Sequence, residues 1–226
     1  MSETIGPFRA KDTTMHTDES GAAIDLSASG EEAFPFFGDV LALDLVNTEV
    51  ILRGKPRDLL ATPEDVAQWW HAAQRHYPDM DEVEASGGAR VDTTTLVALK
   101  GLRRALRGIF SALADRTTPA SADIDVLNSV LRTGAHALLL TSSGAVRPVY
   151  QVQTGADPMR FAIALSALGL VRDGARQRLH RCSNDRCVLL FYDTTKSATR
   201  RWCSVGCMDR ARSAKRYLAA KQRSHS

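Results

Sequence analysis

The 226 residues carry 29 Lys+Arg against 26 Asp+Glu, a formal charge of +3, with 44% apolar and 24% charged side chains. That balance suits a globular chain with an ordinary core, in one large domain or two small ones, and excludes collagenous and wholly disordered chains. The N-terminus has no apolar stretch of the secretory kind, and the greasiest run, residues 161–171, is too short to span a bilayer, so a cytoplasmic protein is expected.

Residues 1–33 are polar, acidic and poor in large apolar side chains. They cannot bury enough surface to offset ordering entropy and are expected to form a flexible tail, with Met15 as a second candidate start. Residues 34–174 are expected to form a helical domain. Its first segment, VLALDLVNTEV over residues 40–50, is apolar enough for a helix or a buried strand, and periodicity leaves both open. Thr62-Pro63-Glu64-Asp65 is a helix start: Thr62 can cap, Pro63 suits the first helical position, and the acids sit where the dipole favours them. Val66, Trp69, Trp70 and Ala73 then recur at i, i+3, i+4, i+7, one buried stripe that places both tryptophans in the core.

After a loop with Pro78 and Gly87-Gly88, a long helix is predicted over residues 92–114. Leu96, Leu99, Arg103, Leu106, Phe110 and Leu113 trace one side; Lys100, Arg104 and Arg107 form a basic stripe, read as a solvated face. A third helix is predicted over residues 120–131. Alternating patterns at 137–141 and 146–152 flank Ser142-Ser143-Gly144 and predict a hairpin. A fourth helix starts at Asp157-Pro158, is expected to bury Phe161, Ala164, Leu165 and Leu168, and ends before Gly174.

The remainder, residues 175–226, has a different character. Residues 172–226 hold 14 of the 29 basic and 4 of the 26 acidic residues, a balance of +10 that leaves −7 for residues 1–171. All four cysteines lie there: Cys182, Cys187, Cys203 and Cys207, spaced C-x4-C, 15 residues, C-x3-C. Two close pairs returned to one centre by a short insert is what tetrahedral four-thiolate zinc needs, and four sulfurs leave no open position, so one structural Zn²⁺ is expected. Disulfides would be spread over the fold they staple. His180 is a candidate substitute ligand and reads as a surface histidine.

The insert is expected to be a hairpin, residues 188–192 turning through 193–197 into 200–202. A basic helix then begins at the second pair, where its dipole favours thiolate, and runs to about residue 221. Knuckle, hairpin and helix make a treble-clef-like module behind the helical domain, so the fold class is mainly α with a small β-hairpin (α+β). About 45 residues form a poor core unaided, and zinc would supply roughly 10–16 kcal/mol apparent.

On that helix Arg212, Arg216 and Arg223 share a face with Lys215 beside it. Ala211, Ala214 and Leu218 lie opposite and are expected to pack on the zinc hairpin, flanked by Arg210 and Lys221. Lys196, Arg200 and Arg201 add charge from the insert. A metal-braced cationic surface of this kind fits the phosphate backbone of double-stranded DNA, and arginines on a helix can reach guanine edges. Phe191, Tyr192, Trp202 and Tyr217 are assigned mostly to the small core, which disfavours single-strand stacking. The alternative is a zinc-stabilised protein-interaction module for acidic surfaces, without DNA.

In the first domain Asp44, Asn47 and Thr48 interrupt an apolar run. They could line a pocket for a small-molecule effector, with Arg53 or Arg57 as anion anchor, or they hydrogen-bond neighbouring backbone. The chain has no Walker loop, G-x-S-x-G, G-x-G-x-x-G or H-E-x-x-H, and its histidines are scattered, so no catalytic residues and no enzyme are expected.

Cys182-Ser183-Asn184-Asp185-Arg186-Cys187, Leu190-Phe191-Tyr192-Asp193, Arg201-Trp202-Cys203-Ser204 and Cys207-Met208-Asp209-Arg210 together resemble the bacterial CGNR zinc finger. That family is named for Cys-Gly-Asn-Arg at its last ligand; here Met208-Asp209 replaces Gly-Asn, and the last pair is one residue closer than usual. Leu43-Asp44-Leu45-Val46-Asn47-Thr48, with Asp58-Leu59-Leu60 before the Trp69-Trp70 helix, resembles the ABATE domain, which commonly precedes this finger in stress-response transcriptional regulators. The resemblance spans about residues 34–220. It implies a zinc-dependent DNA-binding regulator whose first domain senses a signal or forms a homodimer.

Overall fold

The computed structural model describes residues 34, 36, 40–77, 91–140, 142–144, 146–173 and 176–223. The expected tail, the Pro78 to Gly88 loop and the Gly174 cap lie outside them.

Both readings of residues 40–50 are realised in succession. Leu41–Val46 forms a short helix, α1, with all six side chains buried; Glu49–Leu52 is strand β1, antiparallel to β2 (Lys55–Asp58). A helix apolar all round is one that neighbours enclose, and six residues hold helical shape only through such packing. The β1–β2 turn runs through the left-handed region at Arg53 (φ 49°) and Gly54 (φ 78°).

Helix α2 (Pro63–His76) begins as its capping signal predicts. Thr62 Oγ1 accepts from the Asp65 N–H at 3.2 Å, and Asp65 Oδ2 accepts from the Thr62 N–H at 2.8 Å. Val66, Trp69, Trp70 and Ala73 are buried as the stripe requires. Helix α3 (Thr93–Ala114) is capped by Asp92, which accepts from the Thr95 N–H at 2.8 Å. Helix α4 (Ser121–Leu131) and the hairpin β3 (Gly134–Leu140) with β4 (Val146–Val152) follow, paired from Gly134↔Val152 to Leu140↔Val146. Helix α5 (Pro158–Asp173) buries Phe161, Ala164 and Leu165, but Leu168, expected to be buried with them, is 38% exposed.

The centre of the fold is α1, packed against α5 and α3, with the Ala42 N–H donating to Ser166 Oγ at 3.2 Å. Strands β5 (Leu179–Arg181) and β6 (Leu190–Tyr192) pair antiparallel and lead to the last helix, α6 (Val205–Arg223). Leu179, Leu190 and Tyr192 belong to the same apolar core as Trp69, Phe110 and Phe161. The strands of the cysteine module are thus seated in the main core, while the cysteines themselves lie in a second, smaller apolar cluster with Val50, Leu189 and Phe191.

One residue of the predicted apolar stripe on α3 is a cation. Arg103 is only 3% exposed and donates to both carboxylate oxygens of Asp58, at 2.7 and 2.8 Å, and to Thr48 Oγ1 at 2.9 Å. A charge survives there because its pairing is bidentate and charge-assisted.

Candidate metal centre and nucleic-acid interface

Cys182 follows β5 and Cys187 precedes β6, so the first pair sits in the knuckle between two paired strands. The Cys182 N–H donates to the Leu189 carbonyl at 3.0 Å and the Cys187 N–H to that of Asn184 at 2.8 Å. Asn184 shapes the knuckle: its side chain accepts from the Arg186 N–H at 3.0 Å and donates to the Cys207 carbonyl at 3.2 Å, linking the two pairs. Cys207 lies in the first turn of α6, where its N–H donates to Ser204 Oγ at 3.2 Å.

The four sulfurs lie within 4.8 Å of one another, with Cys187–Cys203 at 3.8 Å and Cys203–Cys207 at 3.5 Å. A disulfide needs about 2.05 Å. Tetrahedral ligands about 2.3 Å from zinc stand about 3.8 Å apart, so the spacing is that of one shared ion. Hydrogen bonds from Cys182, Cys187 and Cys203 push Cys207 far toward thiolate, with Arg210 Nη2 adding a contact to its sulfur at 3.0 Å; the same crowding pushes Cys203 up. Four thiolates at this distance repel, and a divalent cation removes that repulsion. His180 stays outside the cluster, on β5, tilted against the Phe191 ring at 5.6 Å.

The predicted hairpin within the insert is replaced by a different one. Strand β6 pairs with β5, and residues 200–202 form no strand. Residues 193–200 instead fold round the buried carboxylate of Asp193. It accepts from the Thr195 N–H at 2.9 Å, the Thr195 hydroxyl at 2.6 Å and the Arg200 N–H at 2.7 Å, while Arg178 donates to the carbonyls of Asp193 and Thr195. Asp followed by two threonines is turn chemistry, so the turn expected over residues 193–197 is present and only its return as a strand at 200–202 is not.

The predicted nucleic-acid residues divide into two groups. Arg200 and Arg210 serve the metal module: Arg200 lies over the Phe191 ring at 4.9 Å and donates to the carbonyls of Trp202 and Cys203, and Arg210 meets Cys207. Arg201 is exposed, 5.3 Å from the Trp202 ring, and Lys196 is exposed in the insert. Arg212, Lys215, Arg216, Lys221 and Arg223 are exposed along α6.

The apolar side of α6 does not pack as expected. Cys207 is the buried residue of this helix; Ala214 is exposed, Leu218 is 59% and Tyr217 69% exposed, and Ala211 is half-buried. The apolar cluster round the cysteines is built instead with Val50, Leu52 and Leu59 from the first domain, packed with Cys182, Leu189, Phe191, Cys203, Cys207 and Trp202.

The profile of the ABATE family, described as "putative stress-induced transcription regulator", matches residues 39–174. The chain belongs to the ABATE family. The CGNR zinc finger matches residues 178–219, directly behind it, and its four cysteines hold a single structural zinc. No curated protein matches the chain. Among the described residues no helix is long and apolar enough to cross a membrane.

Within the ABATE domain Asp44, Asn47 and Thr48 are fully buried, and each is engaged by the protein itself. Asp44 accepts from the Tyr77 hydroxyl; Thr48 donates to the Leu45 carbonyl at 2.6 Å and accepts from Arg103. Asn47 donates to the Leu190 carbonyl at 2.8 Å and accepts from the Leu190 N–H at 3.0 Å. Arg53 and Arg57 are exposed on the β1–β2 hairpin. Of the three, Thr48 bonds neighbouring backbone, whereas Asp44 and Asn47 are engaged by distant residues, Tyr77 and Leu190.

The basic stripe of α3 is not simply solvated either. Lys100 pairs with Asp58 at 3.0 Å, and Arg107 reaches Glu49 at 2.7 Å and the Val188 carbonyl at 3.1 Å; Arg104 remains exposed. These residues, Arg103 and the Arg181–Asp115 pair at 2.8 Å were missed as ties between distant segments, because no local pattern announces a partner more than 40 residues away.

Proposed function

We propose that the chain is a cytoplasmic, zinc-dependent transcriptional regulator that binds double-stranded DNA through α6 and the cationic insert. One observation carries the reading: residues 212–223 bear Arg212, Lys215, Arg216, Lys221 and Arg223, all exposed, with no acidic side chain among them. At 1.5 Å per residue this stretch is about 18 Å long, and a single helix fits the major groove, about 12 Å wide. Its first turn carries Cys207, so the metal sets the angle at which the helix leaves the body. In this reading the ABATE domain receives a stress signal, such as a small-molecule effector, or pairs two copies, and the chain performs no catalysis.

Titrating zinc-loaded protein with duplex DNA over a salt series tests it. Four to six phosphate contacts give a slope of log K against log salt of about −3.6 to −5.4. Arg212→Ala with Arg216→Ala should flatten the slope by about 2 and weaken binding while zinc content stays unchanged. Binding that ignores salt, or an unchanged affinity in the double variant, refutes the assignment. Retention of an acidic protein that duplex DNA cannot displace would transfer the surface to a protein partner.

A further inference from the structure

Three contacts join residues 46–59 of the ABATE domain to the cysteine module. The Asn47 side chain takes both backbone polar groups of Leu190, a residue 143 positions away, and so acts as one rung of a strand on the free edge of β6. Val50, Leu52 and Leu59 supply the apolar side chains against which Cys182, Cys203 and Cys207 pack. Arg107 ties the Glu49 carboxylate and the Val46 carbonyl to the Val188 carbonyl, one residue after the ligand Cys187.

We propose that Asn47 and the β1–β2 hairpin are positioning elements of the zinc site, so that metal binding and folding of the ABATE domain form one linked equilibrium. The LDLVNT segment, singled out as a candidate ligand pocket, would then serve to hold the finger. Cys187 is three residues from Leu190. Fixing both the N–H and the C=O of Leu190 fixes the register of β6, and with it the distance from Cys187 to the other sulfurs. An ion that binds only the assembled state stabilises everything that state contains, and the core containing Leu190 also contains Trp69 and Trp70. Linkage is reciprocal: any event that shifts α1 and β1 changes zinc affinity and reaches α6 through Cys207. The inference does not depend on what α6 binds.

The test uses the full chain. Of the three tryptophans, Trp202 lies in the finger, so a Trp202→Phe background with unchanged zinc content leaves fluorescence reporting on Trp69 and Trp70. Removing zinc with a chelator should lower the unfolding midpoint seen by those two residues. Asn47→Ala should weaken zinc in a chelator competition by about 10–100-fold, the range for groups that orient metal ligands, and should shrink the chelator-induced drop. A role confined to general stability would lower the midpoint equally with and without zinc and leave zinc affinity untouched; that result overturns the proposal. So does a Trp69/Trp70 transition indifferent to zinc in the otherwise unaltered chain, a comparison that stands even if Asn47→Ala fails to fold.

Discussion

The Arg103–Asp58 pair makes an asymmetric prediction. Arg103 is 3% exposed, whereas the Asp58 side chain is 32% exposed. Asp58→Ala leaves a guanidinium deep in the core with Thr48 Oγ1 at 2.9 Å and Glu49 at 3.4 Å as its remaining partners. Breaking a buried pair in this way costs about 3–5 kcal/mol. Arg103→Met removes the buried charge and fills much of its volume. The carboxylate left behind meets water and keeps Lys100 at 3.0 Å and the Leu60 N–H at 3.0 Å, so the cost falls to about 1–3 kcal/mol. With m about 2 kcal/mol/M, the urea midpoint of zinc-loaded protein drops by about 1.5–2.5 M for Asp58→Ala and about 0.5–1.5 M for Arg103→Met. The double variant, which buries no unpaired charge, should be more stable than Asp58→Ala alone. If Arg103→Met costs as much as Asp58→Ala, or the two effects simply add, burial of the guanidinium is not what makes the pair necessary.

Acid should weaken the same region. Burial works to raise the Asp58 pKa, but hydrogen bonds from Arg103, the Leu60 N–H and Lys100 overcome it and hold the carboxyl at about 2, down from its usual 3.8. Its contribution is complete above about pH 4 and is lost as pH falls toward 2. Asp193 shifts in the same direction: burial opposes the shift, and the hydrogen bonds from Thr195 and Arg200 overcome it. Asp157, pushed up by burial, works the other way. Stability of the unaltered chain minus that of Asp58→Ala should therefore shrink over that window; a difference independent of pH would contradict the assignment. Gly134→Ala would place a Cβ 2.7 Å from the Phe161 ring and 2.8 Å from the Gln151 carbonyl, an overpacking worth about 1–3 kcal/mol, whereas Gly101→Ala on α3 meets open space and should gain up to about 1 kcal/mol. Calorimetry should show melting temperatures moving in opposite directions, and equal shifts would refute the packing argument.

Much of the fold was legible along the chain because its signals are local. Thr62-Pro63-Glu64-Asp65 specifies a helix start within four residues, and the α2 stripe needs only its own period. The four cysteines declare a shared metal because their spacing is itself the geometry of the site. By contrast, α1 is recognisable as a helix only once α3 and α5 enclose it, and residues 200–202 are strand-like in composition while Asp193 holds the segment before them in a loop.

The sequence by itself determined the helices other than α1, the β3–β4 hairpin, the zinc ligands and the charge of the last helix, since each depends on residues close together in the chain or on composition alone. Only the tertiary structure decided where those charges go. It turned Arg103 and Arg107 inward, gave Arg200 and Arg210 to the metal module, and left Arg212 and Arg216 exposed. It also turned Asn47 from a candidate pocket residue into a clamp on Leu190. The reason is physical: a buried polar or charged group is stable only beside its partner, and the partner is chosen by the folded chain rather than by its neighbours in sequence.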